Sequence, residues 1–286
     1  MNNFFIVANR DKDKGNEITN KIKEYLIENG KKCSIGDEIH PNGKGKYHYT
    51  DGDLIQDDVD CLIVLGGDGT IIQAARDFCK KSIPILGVNL GTLGYLAEID
   101  KNTIISALDS LINDNYYIDE RMMLSGKVIR DGKVVYEDVA LNDIILSRYG
   151  TLSVININIY IDSEFIHEYT ADGVIVSSPT GSTAYNLSAG GPIVMPDASL
   201  FVLTPICPHT INARSIILPE NVTIELEVAQ NHRNTSKNIG ANFDGDSPFQ
   251  LKIGDKIRIC RSNQKAKLIR LSKISFLEAI SKKMIN

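Results

Sequence analysis

The 286-residue sequence predicts an α/β protein: an N-terminal doubly wound parallel-sheet domain, then an all-β sandwich-like domain, then a C-terminal helix packing back on the first. Three observations predict it. Apolar runs without alternation recur between helical patterns over the first ~115 residues. From about Met122 the pattern changes to alternation with a period of two. The tail then returns to helical spacing. These changes set boundaries at 1–119, 120–265 and 266–286, and a chain of this length suits more than one core.

Taken in order, Phe4-Phe5-Ile6-Val7-Ala8 reads as a buried strand. Ile18, Ile22, Tyr25 and Leu26 share one helix face, and Asn29-Gly30 ends that helix. Cys61-Leu62-Ile63-Val64-Leu65 and Ile83-Pro84-Ile85-Leu86-Gly87-Val88 are apolar on both faces, as strands of a covered parallel sheet are. Between them Ile72, Ala75, Phe78 and Cys79 mark a short helix, and another lies near Ile104–Leu111. Strands alternating with helices give the doubly wound sheet. The stretch His40–Gly52, rich in Gly, Lys and His, reads as a flexible surface loop.

In the second part, 155–162 and 222–228 alternate strictly, as do Ile257 and Ile259. Each is a strand buried on one face. Asp131-Gly132, Gly190-Gly191 and Gly254-Asp255 supply turns, which points to a sandwich. Phe276, Leu277, Ile280 and Met284 space as a last helix.

Composition narrows the function. A 43% hydrophobic and 23% charged chain is globular rather than disordered. A net charge of −5 leaves no electrostatic footprint for nucleic acid or an anionic membrane. No apolar run approaches the ~18 residues of a membrane span, and the start lacks signal-peptide features. The five cysteines are scattered without a CxxC pair, so neither zinc nor a disulfide framework is indicated. A reducing, cytoplasmic setting is the expectation.

The densest chemical signal is Gly66-Gly67-Asp68-Gly69-Thr70, where a buried strand ends at Leu65 and a helix is expected to begin near Thr70. Ligands of open α/β sheets sit at the carboxyl ends of strands. Glycines let the backbone approach an anion, and a helix N-terminus offers N–H groups to phosphate. Asp68 repels phosphate, so it makes sense as a group that takes a hydroxyl proton or holds Mg²⁺ against phosphates. The bland alternative is a tight turn capped by Thr70. The Rossmann and Walker glycine patterns are absent.

A second cluster runs from Asp172 through a strand at Val174–Val176 to Thr180-Gly181-Ser182-Thr183-Ala184-Tyr185-Asn186 and Ser188-Ala189-Gly190-Gly191-Pro192. Its hydroxyls and amides suit a ribose or phosphate, and Tyr185 suits a base; a Ser/Thr-rich turn is the alternative. Asn142-Asp143 follows the start of an apolar strand and suits the two hydroxyls of a ribose, or is an ordinary strand-edge turn. His209 is expected to be a core histidine, because no nucleophile elbow accompanies it. Arg214 is expected either in an ion pair or on a phosphate. Cys61 and Cys79 are expected as small core residues.

Together these motifs resemble the NAD kinase family over roughly Leu62 to Asp246. Gly66–Thr70 is similar to its GGDGT motif. Asn89-Leu90-Gly91-Thr92-Leu93-Gly94-Tyr95-Leu96, Glu120-Arg121-Met122-Met123-Leu124, Asn142-Asp143, the Thr180–Pro192 block, Pro208-His209-Thr210 with Ala213-Arg214, and Phe243-Asp244-Gly245-Asp246 follow in the family's order. GGDGT alone also occurs in lipid kinases; the TGSTAY block is more specific.

The resemblance implies phosphorylation of the adenosine 2′-hydroxyl of NAD to give NADP, with ATP or a similar donor. It implies Asp68 as the catalytic group, and Gly66, Gly67 and Thr70 on the donor phosphates. It implies Gly69, Tyr95, Asn142, Asp143, Asp172, Thr183, Ala184, Tyr185, Asn186, Ser188 and Asp246 as substrate contacts. Mg²⁺ or another divalent metal is implied mainly on the donor phosphates, with no site made by the protein alone. A homo-oligomer, dimer or tetramer, is expected. A diacylglycerol-type lipid kinase and a non-catalytic NAD(P) sensor are the alternatives. The chain departs from the family pattern in three places: Asp143 stands for the usual Glu, Thr170 for a frequent Arg, and Asp246 for the common Gln.

Overall fold

The computed structural model describes residues 1–36, 52, 55–91, 94–150, 154–210, 212–230, 238–271 and 276–284. The chain divides into two units, Met1–Arg121 with Gln264–Asn286, and Met122–Asn263.

In the first unit the unbroken apolar runs become a parallel sheet. The elements are β1 (Asn3–Ala8), α1 (Glu17–Glu28), β2 (Lys32–Ile35), β3 (Cys61–Gly66), α2 (Asp68–Asp77), β4 (Ile85–Asn89), β5 (Ile99–Asp100) and α3 (Ile104–Ile112). The strands lie in the order β2-β1-β3-β4, all parallel, with β5 beside β4. Both faces are covered, which explains the missing alternation. Phe4 and Ile6 of β1 pack with Ile22 and Leu26 of α1 and Leu108 and Leu111 of α3. Phe5, between them, points the other way and meets Phe78 at the end of α2, ring centroids 6.2 Å apart. The strand order reverses between β1 and β3. That reversal opens a crevice at their carboxyl ends, the usual place for a ligand in such sheets.

The helix after β3 starts at Asp68, two residues before the start expected near Thr70. Gly67, extended at φ −130°, is the last residue outside it. Thr70 is therefore in the first turn and does not cap.

The long strand β6 (Tyr117–Arg130) leads into the second unit. It turns at Asp131 and Gly132, both left-handed (φ 50° and 74°), into β7 (Lys133–Ala140). Two such residues in a two-residue hairpin match the twist of the strands they join. One layer pairs β9 (Ile155–Ile161) with β10 (Glu164–Ala171) and β14 (Ile224–Val228), and β14 with the first residues of β17 (Lys256–Arg270), all antiparallel. The other runs β13 (Ile216–Pro219), β12 (Leu200–Ile206), β11 (Gly173–Ser177), β8 (Asp143–Arg148), β15 (Ile239–Phe243), β16 (Phe249–Leu251). Ile155, Ile157 and Ile159 from the first layer share a core with Ile144, Leu146, Val174, Val176, Phe201 and Leu203 from the second. The alternation read from the sequence is this one-sided burial.

Gly190-Gly191 does not join two strands. It follows the short helix α4 (Tyr185–Ser188), with Gly190 left-handed at φ 84°. The last helix, α5 (Phe276–Met284), buries Ile280 and belongs to the first unit. The expected loop 40–52 lies outside the described residues except for Gly52. Among the described residues no helix is long and apolar enough to cross a membrane.

Candidate active site

In the first unit three strand ends meet. After β1, the Asn9 side chain accepts the amides of Asp11 and Lys12 (3.1 and 3.3 Å) and donates to Thr70 Oγ1 (3.5 Å). After β4, Leu90 donates to the Gly66 carbonyl at 2.8 Å, and the Asn89 amide brackets Gly91 (2.7 and 3.2 Å). Between them stands the Gly66–Thr70 loop. No described side chain caps α2; the Thr70 N–H donates to the Gly67 carbonyl at 3.0 Å, and the N–H groups of Asp68 and Gly69 before it are left for solvent or an anion.

Asp68 is fixed by the segment after β4. Its carboxylate accepts the N–H groups of Tyr95 (2.6 Å) and Leu96 (3.2 Å). Gly94 must be glycine here, because a Cβ would fall on that carboxylate. A negative side chain in the first turn also suits the positive end of the helix dipole. These supports hold a carboxylate beside a loop that otherwise invites anions. Gly69 is exposed, Gly67 and Tyr95 are partly exposed, and Thr70 is buried at 4%.

Lys12 is a residue the sequence reading passed over. Its ammonium lies 2.7 Å from where a Gly67 Cβ would be, and 3.6 Å from that of Gly91. Nothing in the local pattern flags it; only the adjacency of β1 and β3 brings it to the loop.

In the second unit Asn142, Asp143 and the Thr180–Pro192 block come together. Gly181 packs so closely on Asn142 that a Cβ would strike the Asn142 backbone. Ser178 donates its amide to the Asn142 carbonyl (2.8 Å) and its hydroxyl to that of Leu141 (2.5 Å). Thr183 and Ala184 are partly exposed, while Tyr185 (46%) and Ser188 are exposed. Asn186 differs from these. It is fully buried, its amide donates to Ser182 and Pro192 carbonyls (3.1 and 3.0 Å), and its oxygen accepts the Thr204 hydroxyl (2.7 Å). As it stands, Asn186 braces the loop rather than facing a ligand.

Asp143 is 4% exposed. Burial, and after it the charge of Asp244, push its carboxyl up to about 8. Asp172 pairs with Arg148, Nε to Oδ1 at 2.8 Å. Arg148 was also missed, since its partner is set by β8 lying against β11, where Ser147 faces Gly173. Thr170 carries no charge, and the cation beside Asp172 comes from Arg148. Asp246 accepts the Ser247 amide (2.7 Å), and its carbonyl accepts from the Asn242 side chain.

His209 corrects an expectation. It is exposed, not a core residue, and among the described residues it is tied by its backbone N–H, to the Thr170 carbonyl at 2.8 Å. Arg214 is exposed and donates to the Ala213 carbonyl; it forms no ion pair among the described residues. Cys61 and Cys79 are buried, as expected of core residues.

Comparison with known proteins matches both parts of the chain. Residues 4–116 match the ATP-NAD kinase N-terminal domain and residues 141–271 the ATP-NAD kinase C-terminal domain. The chain belongs to the NAD kinase family. A NAD kinase of Lachnospira eligens is 44% identical, covering 99% of this chain and 100% of that one. One of Lachnoclostridium phytofermentans is 43% identical over 99% of each. Among solved structures, a yeast NADH kinase complexed with NADH superposes with a TM-score of 0.86 at 28% identity, covering 99% of this chain and 87% of that one. An NAD kinase from Archaeoglobus fulgidus in complex with ATP shares the fold, with a TM-score of 0.76 at 21% identity over 99% and 98%. These relatives make the family's two-part plan, α/β then β-sandwich, the plan of this chain.

Proposed function

We propose that this NAD kinase family member transfers the terminal phosphoryl group of ATP, or a similar donor, to the adenosine 2′-hydroxyl of NAD, giving NADP. The observation that carries the reading is Asp68, a carboxylate locked by two backbone N–H groups at the start of α2, in the crevice where the strand order reverses. In the reaction the 2′-oxygen forms a bond to the γ-phosphorus, the β,γ-bridging bond breaks, and the hydroxyl proton passes to Asp68. Little covalent work is left to the protein, so positioning and charge neutralisation dominate.

Gly66, Gly67 and Thr70, with the amides at the start of α2, take the donor phosphates, and Lys12 supplies a positive charge over the same loop. Gly69 and Tyr95 contact the nucleotide beside Asp68. Asn142 and Asp143 grip a ribose of NAD, and Thr183, Ala184, Tyr185 and Ser188 receive adenine and ribose. Asp172, oriented by Arg148, lines the nicotinamide half, and Asp246 stands at the edge of the same cluster. The 2′-hydroxyl is common to NAD and NADH, so this chemistry serves either.

Among the described residues no group of three or more His, Cys, Asp or Glu is placed to hold a metal ion. A Mg²⁺ carried by the donor phosphates would need only one or two carboxylates from the protein, and Asp68 is the carboxylate at the loop. Such an ion would neutralise the phosphate charge that otherwise repels Asp68. We place the protein in the cytoplasm as a dimer or tetramer, on the strength of its family and composition.

Incubating the protein with NAD, ATP and Mg²⁺ tests the reading. NADP accumulates in step with ADP; no NADP under these conditions would refute it.

A further inference from the structure

The Asp244 carboxylate accepts three consecutive amides: Leu141 (2.6 Å), Asn142 (2.7 Å) and Asp143 (3.1 Å). In return its own amide donates to the Asp143 carbonyl at 3.1 Å. Asp244 sits in a left-handed conformation, φ 54°, in the turn after β15, and the Asn242 side chain braces that turn by accepting the Gly245 amide at 2.7 Å. From the other side, Ser177 and Ser178 take the carbonyls of Leu141 and Asn142. The backbone of Leu141–Asp143 is thus tied at every peptide. By contrast, the side chains of Asn142 and Asp143 form no hydrogen bond with any described residue. A segment fully fixed in its backbone, with a half-buried Asn142 and a buried Asp143 whose side chains no described residue hydrogen-bonds, is built to offer those two polar groups to a ligand.

We propose that Asp244 is a positioning residue for the dinucleotide: it fixes the Leu141–Asp143 turn so that Asn142 and Asp143 meet the ribose hydroxyls. The proposal rests on the reading of Asn142 and Asp143 as ribose contacts. An amide in place of this carboxylate has one oxygen to accept with and presents N–H groups to N–H groups. The turn would then relax, and a shift of about an ångström at a gripping residue costs on the order of a hundredfold in rate.

Steady-state kinetics of the full chain test it. Asp244→Asn lowers kcat/KM for NAD by about 10- to 100-fold and leaves KM for ATP within about twofold. Combined with Asn142→Ala, it loses little more than the larger single change, because the two act through one contact. An unchanged KM and kcat for NAD in a folded Asp244→Asn, or losses that simply multiply, overturns the positioning role. If Asn142→Ala itself leaves NAD kinetics untouched, the ribose reading fails instead. Hydrogen exchange on the unmodified protein covers the case of a variant that does not fold. The amides of Leu141, Asn142 and Asp143 exchange slowly without NAD, and rapid exchange there contradicts the proposal.

Discussion

Asp68 and Asp143 are both carboxylates, and the fold places them in opposite surroundings. Asp68 is partly exposed and accepts two N–H groups. Asp143 is buried with no side-chain partner among the described residues, and burial together with Asp244 pushes it up to about 8. The folded chain therefore keeps a proton that the unfolded chain releases from 3.8 upward. Stability falls as pH rises from about 4, and this contribution levels off above about 8. Asp143→Asn removes that part of the slope. Urea midpoints at about pH 5 and pH 8 read it directly: the wild type loses more stability between them than the variant, and equal losses would show that Asp143 does not hold its proton. Lys12 makes a second prediction. Lys12→Ala raises KM for ATP about tenfold with KM for NAD little changed, since its ammonium lies over Gly67 and Gly91; an unchanged KM for ATP removes it from the donor site. The sequence names Asp68 by its place between a buried strand and a helix, and the Asn142-Asp143 pair through the order of motifs shared with the family. It does not show the burial of Asp143, which depends on β11 and β15 closing on either side of β8. Nor does it reveal that Asn186, in the midst of a functional-looking block, is consumed by Ser182, Pro192 and Thr204.

At the scale of elements, the site in the first unit depends on a segment that is not itself regular structure. Tyr95 and Leu96 hold Asp68, and that segment is held in turn by Arg270 at the end of β17. The Arg270 guanidinium reaches the Leu96 carbonyl (3.4 Å), Glu98 (2.9 Å) and Asp119 (3.2 Å), and Asp119 also pairs with Arg121. Burial alone would push Asp119 up, but Arg121 and Arg270 bring it below its ordinary value. Arg270→Met strands Glu98 and Asp119 with less than their full complement of partners. It costs about 3 kcal/mol of stability and lowers kcat more than it changes either KM. A variant with wild-type kcat would mean that Asp68 does not need this support. The helices and buried strands of this unit were legible from periodicity, because both faces of the sheet are covered and α1 shows one apolar stripe. The start of α2 was misplaced by about two residues because Asp68-Gly69 reads as turn chemistry. The dipole and the N–H groups from a distant loop outweigh that preference. In the second unit the Gly190-Gly191 signal marked a turn correctly but not its neighbours, since a short helix and a strand leave similar traces in a small-residue stretch.

For the whole molecule, chain order and spatial order diverge. The first unit takes its last strand residues and final helix from the far end of the sequence, 264–286, and residue Leu268 of β17 pairs with Ile85 of β4. Arg270 and Asp119 meet only through this return, so no local motif predicts their pairing. The family and its two-part fold were legible because the motifs occur in one order across most of the chain. The supports Arg148, Arg270 and Lys12 were not, and Asp244 was legible as part of a motif but not in its role, because each acts on residues distant in sequence. The central claim is that Asp68 performs the transfer while other residues retain the dinucleotide. The most direct test is Asp68→Asn, measured for NADP formation under saturating ATP and Mg²⁺ and for NAD binding by calorimetry on the same preparation. The account predicts that turnover falls by about 10²–10⁴-fold while the Kd for NAD stays within about threefold of wild type. Turnover that survives the substitution, with NAD bound as before, would contradict it.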